Sequence, residues 1–305
     1  MRRTLGPALL LLVATGCTEE PSPPPVGDLH QYAVGELHLA RTNTEARQYS
    51  LDVNGDGTPD NQLGLVFSAL EGQGYAIADT ADEALVRGRA IMLAQLQTTS
   101  FERSEVAGVQ TFLGASPVPA ACTDPDDLAT CGQHLQTRAH YDLVADGASD
   151  LGVATFVEGR FEAAIGTLPV ELSISNDGPI RVDLQRARIQ LVDMTATGGT
   201  AVVTGGITLH DRDNVVIPAA TGELQRIVAT DCTPAPTSCG CPTDSRGLQL
   251  LELFDLDDSC AIDVDEVRTS NLVQALLSPD LGTGRDQLLS FGFGVAFVPA
   301  EFIAP

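Results

Sequence analysis

From Phe161 to Leu209 the chain alternates apolar and polar residues with a period of two, and this stretch limits the fold more than any other. Phe161, Ala163 and Ile165 alternate with polar or small residues; Val170, Leu172 and Ile174 do so against Glu171, Ser173 and Ser175; Val182 and Leu184 continue the pattern. Ala187, Ile189 and Leu191 then resume it one residue out of phase. That slip predicts a bulge near Arg186, because one extra residue lets the same face stay apolar. Ala201–Leu209 reads as another strand, with Asn176-Asp177-Gly178 and Gly198-Gly199 as turns. Period-two strands joined by short turns argue for antiparallel sheet with one wet face. Leu289, Phe291, Phe293, Val295 and Phe297 predict a buried closing strand, and His30–Ala40, 90–101 and 106–114 are further strand candidates.

Helical signals are shorter. They cover about 61–70, Thr80–Arg89 (Thr80 as N-cap with Glu83 three residues on), Leu224–Val228, Leu248–Phe254 and Val267–Leu277.

The N-terminus predicts the compartment. Arg2 and Arg3 precede an apolar run, Leu5–Val13, too short to span a bilayer, so residues 1–16 read as a cleaved signal peptide. Ala14-Thr15-Gly16-Cys17 resembles the bacterial lipoprotein signal. The resemblance implies cleavage before Cys17, diacylglycerol on its sulfur and an acylated amino group. The other reading is an ordinary secretory signal followed by a free cysteine. Residues 17–27 form a polar, proline-rich tether. Thr18 after the anchor favours the outer membrane as destination, so the chain reads as a lipid-anchored protein of the cell envelope.

A net charge of −24 disfavours nucleic acid and anionic headgroups as partners, and bound cations would offset its self-repulsion. Six cysteines remain beyond Cys17: Cys122, Cys131, Cys232, Cys239, Cys241 and Cys260. An even number in an exported chain predicts disulfides. Cys122–Cys131 would close a short loop around Asp124-Pro125-Asp126-Asp127, leaving the other four to pair among themselves. Zinc is the rival for those four.

Two acidic loops carry the clearest chemistry. In Asp52–Asp60, Asp52, Asn54 and Asp56 hold positions 1, 3 and 5, Gly57 permits a sharp turn at 6, Thr58 offers a carbonyl at 7 and Asp60 an oxygen at 9. Calcium takes six to eight oxygens in flexible geometry, which alternate positions of a tight loop can supply. This loop (52–63) resembles those of EF-hands, dockerins and thrombospondin type 3 repeats, its DGxPD ending being nearest the last. It departs from the EF-hand at position 12, where Leu63 replaces the bidentate glutamate. The second loop, 255–266, has the full twelve residues: Asp255, Asp257 and Ser259 at 1, 3 and 5, the Ala261 carbonyl at 7, Asp263 at 9 and Glu266 at 12. Its departure is Cys260 at position 6, where positive φ is wanted. A disulfide from Cys260 could hold that turn. Pro59, lacking an N–H at position 8 of the first loop, argues against a standard EF-hand pair.

These elements predict one α+β domain over 28–305: an antiparallel β-sheet or sandwich with packed helices and two EF-hand-like acidic loops. The whole resembles bacterial lipoproteins that carry such calcium loops. No HxH, HExxH, GxSxG, P-loop or GxGxxG pattern occurs. His134 and His140 near Asp142 read as core or solvated groups, and Asp142, Asp146 and Asp150 as a surface turn. The function expected is a calcium-stabilised envelope lipoprotein with a structural, binding or adhesive role toward a protein or polysaccharide. The alternatives are a secreted or surface hydrolase with structural calcium and a solute-binding lipoprotein.

Overall fold

The computed structural model describes residues 23–136, 138–174, 178–233 and 238–304. The signal segment, Cys17, most of the tether and the Asn176-Asp177 turn lie outside the described residues.

Nine strands form one antiparallel sheet: β1 Asp28–His38, β2 Met92–Thr98, β3 Arg103–Val118, β4 His140–Ala148, β5 Gly152–Val157, β6 Phe161–Leu172, β7 Ile180–Thr195, β8 Gly198–Thr208 and β9 Leu288–Pro299. Their order is β4-β3-β2-β1-β9-β8-β7-β6, with β5 also on β3. The sheet curls into a half-barrel. Its edges meet where Asp150 N donates to the Thr167 carbonyl (3.2 Å) and Asp150 Oδ2 accepts from Thr167 N (3.1 Å). There β6 presses so close to β5 that a Cβ at Gly152 would lie 2.6 Å from Ile165 Cγ2.

The alternating residues fill the curl: Phe161, Ile165, Leu184, Ile189, Val203, Phe291 and Phe293 are each at most 2% exposed. The bulge falls at Arg186, whose φ is +54°, and it keeps Leu184 and Ala187 both inside. The two short alternating runs 161–165 and 170–172 are one strand, β6, with pairing irregular around Gly166.

The expected helix-on-sheet sandwich is corrected. Strand outweighs helix, 39% to 29%, and the helices form no second layer over the sheet. α1 (Asn43–Gln48), α2 (Gln62–Gly72) and α3 (Ile77–Val86) are short, and α2 and α3 put Leu63, Val66, Phe67, Ala78 and Leu85 into the core inside the curl. α3 starts three residues before the expected Thr80, whose hydroxyl instead donates within the helix to the Ala76 carbonyl (2.9 Å). The side chain of Glu71 caps that start by accepting from Ala78 N (2.7 Å).

Between β8 and β9 lies a helical lobe: α4 Leu209–Asp211, a π-type turn Arg212–Val216, α5 Ile217–Asp231, α6 Arg246–Phe254, α7 Val264–Thr269 and α8 Asn271–Leu276. The expected 267–277 helix is two, broken at Ser270, where ψ is +127°. The lobe has its own core of Ile217, Val228, Leu250, Leu251, Phe254, Ile262 and Val267.

The EF-hand-like arrangement of the two acidic loops is corrected as well. The first loop is closed at its base by a β-bridge, Leu51 to Asp60, rather than by a helix pair. The second alone runs directly from one helix, α6, into another, α7. Among the described residues no β-bridge joins the two loops.

Candidate metal centre

In the second loop the carboxylates of Asp255, Asp257 and Glu266 offer oxygens that all lie within 4.8 Å of one another. The chain builds this cluster in steps. Asp263 caps α7 by accepting from Glu266 N (2.8 Å), and Glu266 Oε2 accepts from Asp263 N (2.9 Å), a reciprocal capping box. The box fixes the start of the helix and with it Glu266, which is buried. Glu266 Oε1 then accepts from Leu256 N (2.7 Å), tying position 12 back to position 2. Asp255 accepts from Ser259 N (2.9 Å) and Cys260 N (2.8 Å), which winds the loop around its first carboxylate. The Ser259 hydroxyl and backbone N–H hold the Asp257 carboxyl below its ordinary value. Ile262, fully buried, pins the loop to the lobe core, and Gln225 Nε2 donates to its carbonyl.

Cys260, the non-glycine residue at the tight turn, has φ +64°. It is bonded to Cys239, and Cys232 is bonded to Cys241. Two cross-links thus join the 232–241 loop to α5 and to the acidic loop. The third, Cys122–Cys131, closes the short acidic loop as the spacing suggested. With all six cysteines paired, zinc on the group of four is excluded as the reason for their spacing. Cys239, Asp255 and Cys260 also come within the same 4.8 Å, but those two sulfurs are bonded to each other.

The first loop is built otherwise. Asp52 Oδ1 accepts from Gly55 N (2.6 Å) and Asp56 N (3.2 Å), and Oδ2 from Gly57 N (2.8 Å). These donors, Gly57 first, hold its carboxyl below the usual range. Asp56 Oδ1 accepts from Thr58 N (2.8 Å). Asn54 Nδ2 lies 3.2 Å from both Asp56 Oδ2 and Asp60 Oδ1, so a nitrogen bearing protons faces those two carboxylates. An ion there would need the amide turned over so that its oxygen faces inward. Asp52, Asp56 and Asp60 do not converge as a three-carboxylate cluster. Burial raises the Asp60 pKa, and the charges of Asp280 and Asp56 add to the rise.

The base of this loop rests on groups that pattern reading missed. Thr204 Oγ1 accepts from Leu51 N (2.9 Å). Asn61, the cap of α2, donates to the carbonyls of Ala46, Tyr49 and Gly292 (3.0–3.1 Å) and accepts from Gly64 N and Gly292 N. Ser290 accepts from Gln62 N (2.7 Å) and is bound in turn to Asp280. The one local signal was Asn61 immediately before a helix; the rest are long-range partners.

The histidines do not gather. His140 Nε2 lies 3.1 Å from Glu301 at the surface, while His134 is 1% exposed, with neither ring nitrogen in a hydrogen bond of normal geometry. Asp142 and Asp146 lie on β4 and Asp150 at the β5–β6 seam, rather than in one acidic turn.

No family model, curated protein or solved structure matches this chain. The acidic cluster can hold a metal ion.

Proposed function

We propose that this protein is a calcium-stabilised, lipid-anchored protein of the cell envelope, probing or bracing its surroundings through a structural, binding or adhesive surface. The observation that carries the reading is the assembled oxygen set of Asp255, Asp257 and Glu266 in a loop already wound, capped and cross-linked. Hard oxygen ligands of net charge −3 at one point favour a hard divalent cation, and a loop of this size and flexibility suits calcium better than the smaller, rigidly octahedral magnesium. The Ala261 carbonyl and the Ser259 hydroxyl stand in the same loop as further oxygens. Supporting the compartment is the Arg2-Arg3, Leu5–Val13, Gly16-Cys17 sequence, together with three disulfides that persist only under oxidising conditions. Extracellular modules bind calcium with dissociation constants of about 10⁻⁴–10⁻³ M, so a weak site there stays filled and acts as a clip.

The first loop is the weaker second site. Its Asp60 carries buried negative charge that a cation would offset.

Thermal unfolding with and without calcium tests the reading. At a hundred times the dissociation constant, calcium adds about 2.7 kcal/mol of stability. Asp255→Ala should remove most of that gain and Asp52→Ala little of it. A wild-type curve that calcium leaves unmoved would end the calcium reading.

A further inference from the structure

We propose that the outer face of the sheet where β1 begins is the face this protein lays against the bilayer; the proposal rests on lipidation at Cys17. Three observations carry it.

The first is charge. Paired residues of neighbouring strands share a face, and across β1, β2, β3 and β5 two outer rows run Leu29–Gln97–Gly108–Val153 and Gln31–Gln95–Gln110. Gln31 Nε2 donates to Gln95 Oε1 (3.4 Å), as side chains on one side of the sheet can. No residue in either row is charged, in a chain of net charge −24. Of the charges next to this face in sequence, Asp28 is exposed beside Leu29 but stands in the alternate row opposite Thr98, Glu105 is paired with Arg103 (2.8 Å) and Asp150 accepts from Thr167 N.

The second is apolarity. Pro25 lies on the same face: a Cβ at Gly108 would sit 2.7 Å from Pro25 Cγ and 3.3 Å from Leu151 Cδ1. Val26, Leu29 and Leu151 are 50%, 56% and 48% exposed. The neighbouring part of the outer face is instead covered, where the C-terminal segment puts Ala300 and Phe302 over Ala33, Leu93 and Phe112.

The third is reach. Pro25 is eight chain steps from Cys17, and a fully extended chain spans at most ~3.6 Å per step, so Pro25 lies within about 29 Å of the anchor. The helical lobe is at the other end of the molecule. β9 meets the lobe at Leu288, opposite Thr208, and reaches Tyr32 at Pro299. Eleven steps of ~3.3 Å put those ends roughly 36 Å apart. A tether of this length lets the uncharged face reach the headgroups while the acidic cluster of the lobe lies at the far end of β9. Shallow contact of a few apolar side chains is enough when lipid already supplies the anchoring.

The chain contains no tryptophan, so single substitutions make clean reporters. The test uses the full lipidated chain in phosphatidylethanolamine–phosphatidylglycerol vesicles containing brominated lipids. Mass spectrometry of the N-terminal peptide first checks Cys17. An unmodified cysteine overturns the lipoprotein reading and this proposal with it. With Cys17 acylated, Leu29→Trp should be quenched at least about twofold more than Leu253→Trp, an exposed position of α6, as expected for a shallow interfacial contact. Adding Gln95→Glu and Gln97→Glu to Leu29→Trp should lower that quenching. Equal quenching at the two positions overturns the proposal while leaving the lipid anchor intact. So does a Leu29→Trp signal that is shielded from lipid and depends on protein concentration, which would make the face a contact between copies.

Discussion

The loop at Asp52–Asp60 hangs from the sheet by neutral contacts, whereas the loop at Asp255–Glu266 is fastened to a helical lobe by a disulfide, a buried isoleucine and a capping box. In both loops the carboxylates accept from backbone N–H groups, but in the first an amide nitrogen stands between Asp56 and Asp60. In the second, a glutamate at position 12 is brought back onto the start of the loop, and three carboxylates converge. Holding like charges together costs Coulomb energy, so it needs a scaffold that opposes their separation. The quality of a loop as an ion site thus depends on what the loop is bolted to as much as on its own oxygens.

Breaking the support of the first loop should have the greatest consequence. Asn61 satisfies five backbone groups, several of them buried, so Asn61→Ala should cost about 3–5 kcal/mol in urea unfolding, given ~1–3 kcal/mol for each buried polar group left without a partner. Calcium binding by the second loop should survive in whatever fraction stays folded. A loss under about 1 kcal/mol would show that water replaces the amide at little cost.

Next comes the scaffold of the second loop. Removing the Cys239–Cys260 bond by the double change Cys239→Ser with Cys260→Ser should lower stability by about 2–4 kcal/mol. It should also weaken calcium binding, because a side chain other than glycine would then have to hold φ near +64° at position 260 unaided. Replacing the pair by Cys239→Ser with Cys260→Gly should restore calcium affinity better than it restores stability, since glycine adopts that turn freely. Equal affinity in both doubles would mean the cross-link serves the fold alone.

The smallest effect concerns pH. Backbone donors at Asp52 and the Ser259 donors at Asp257 make these two carboxyls hold their protons more weakly than ordinary ones, whereas burial makes Asp60 hold its proton more tightly. Acid sensitivity near neutral pH should come from His134, whose pKa burial depresses, the Leu85 backbone offsetting part of the shift. The unfolded chain takes up that proton first as pH falls below about 6.5, so stability is present above that value and declines below it. Melting temperature between pH 7 and 5 should fall in the wild type and stay nearly flat in His134→Phe. A fall of the same size in both would move the acid-sensitive group elsewhere.

Much of the sheet was legible from residue spacing. Period two placed β6 to β9, and the phase slip at Arg186 was readable because an apolar face cannot change sides without an extra residue. β4 and β5 were not read. His140-Tyr-Asp-Leu-Val-Ala-Asp-Gly-Ala buries few of its side chains, as a strand at a sheet edge does, and so lacks a continuous apolar face. Both acidic loops were visible. Cys260 departs from the pattern at the tight turn of the second, and its partner Cys239, twenty-one residues away, is bonded to it there. The partners that seat the first loop, Thr204, Asp280 and Ser290, lie more than 140 residues from it in sequence. Their pairing has no local signature, since short polar residues next to strands are common everywhere.

On this reading the second loop is the stronger of two ion sites because its scaffold assembles the oxygens beforehand. Calorimetric titration of calcium into the wild type, Glu266→Gln and Asp56→Asn is the sharpest check. A tighter binding step should vanish in Glu266→Gln and persist in Asp56→Asn. A tighter step that persists in Glu266→Gln and vanishes in Asp56→Asn would reverse the order of the two sites and refute the scaffold as its cause.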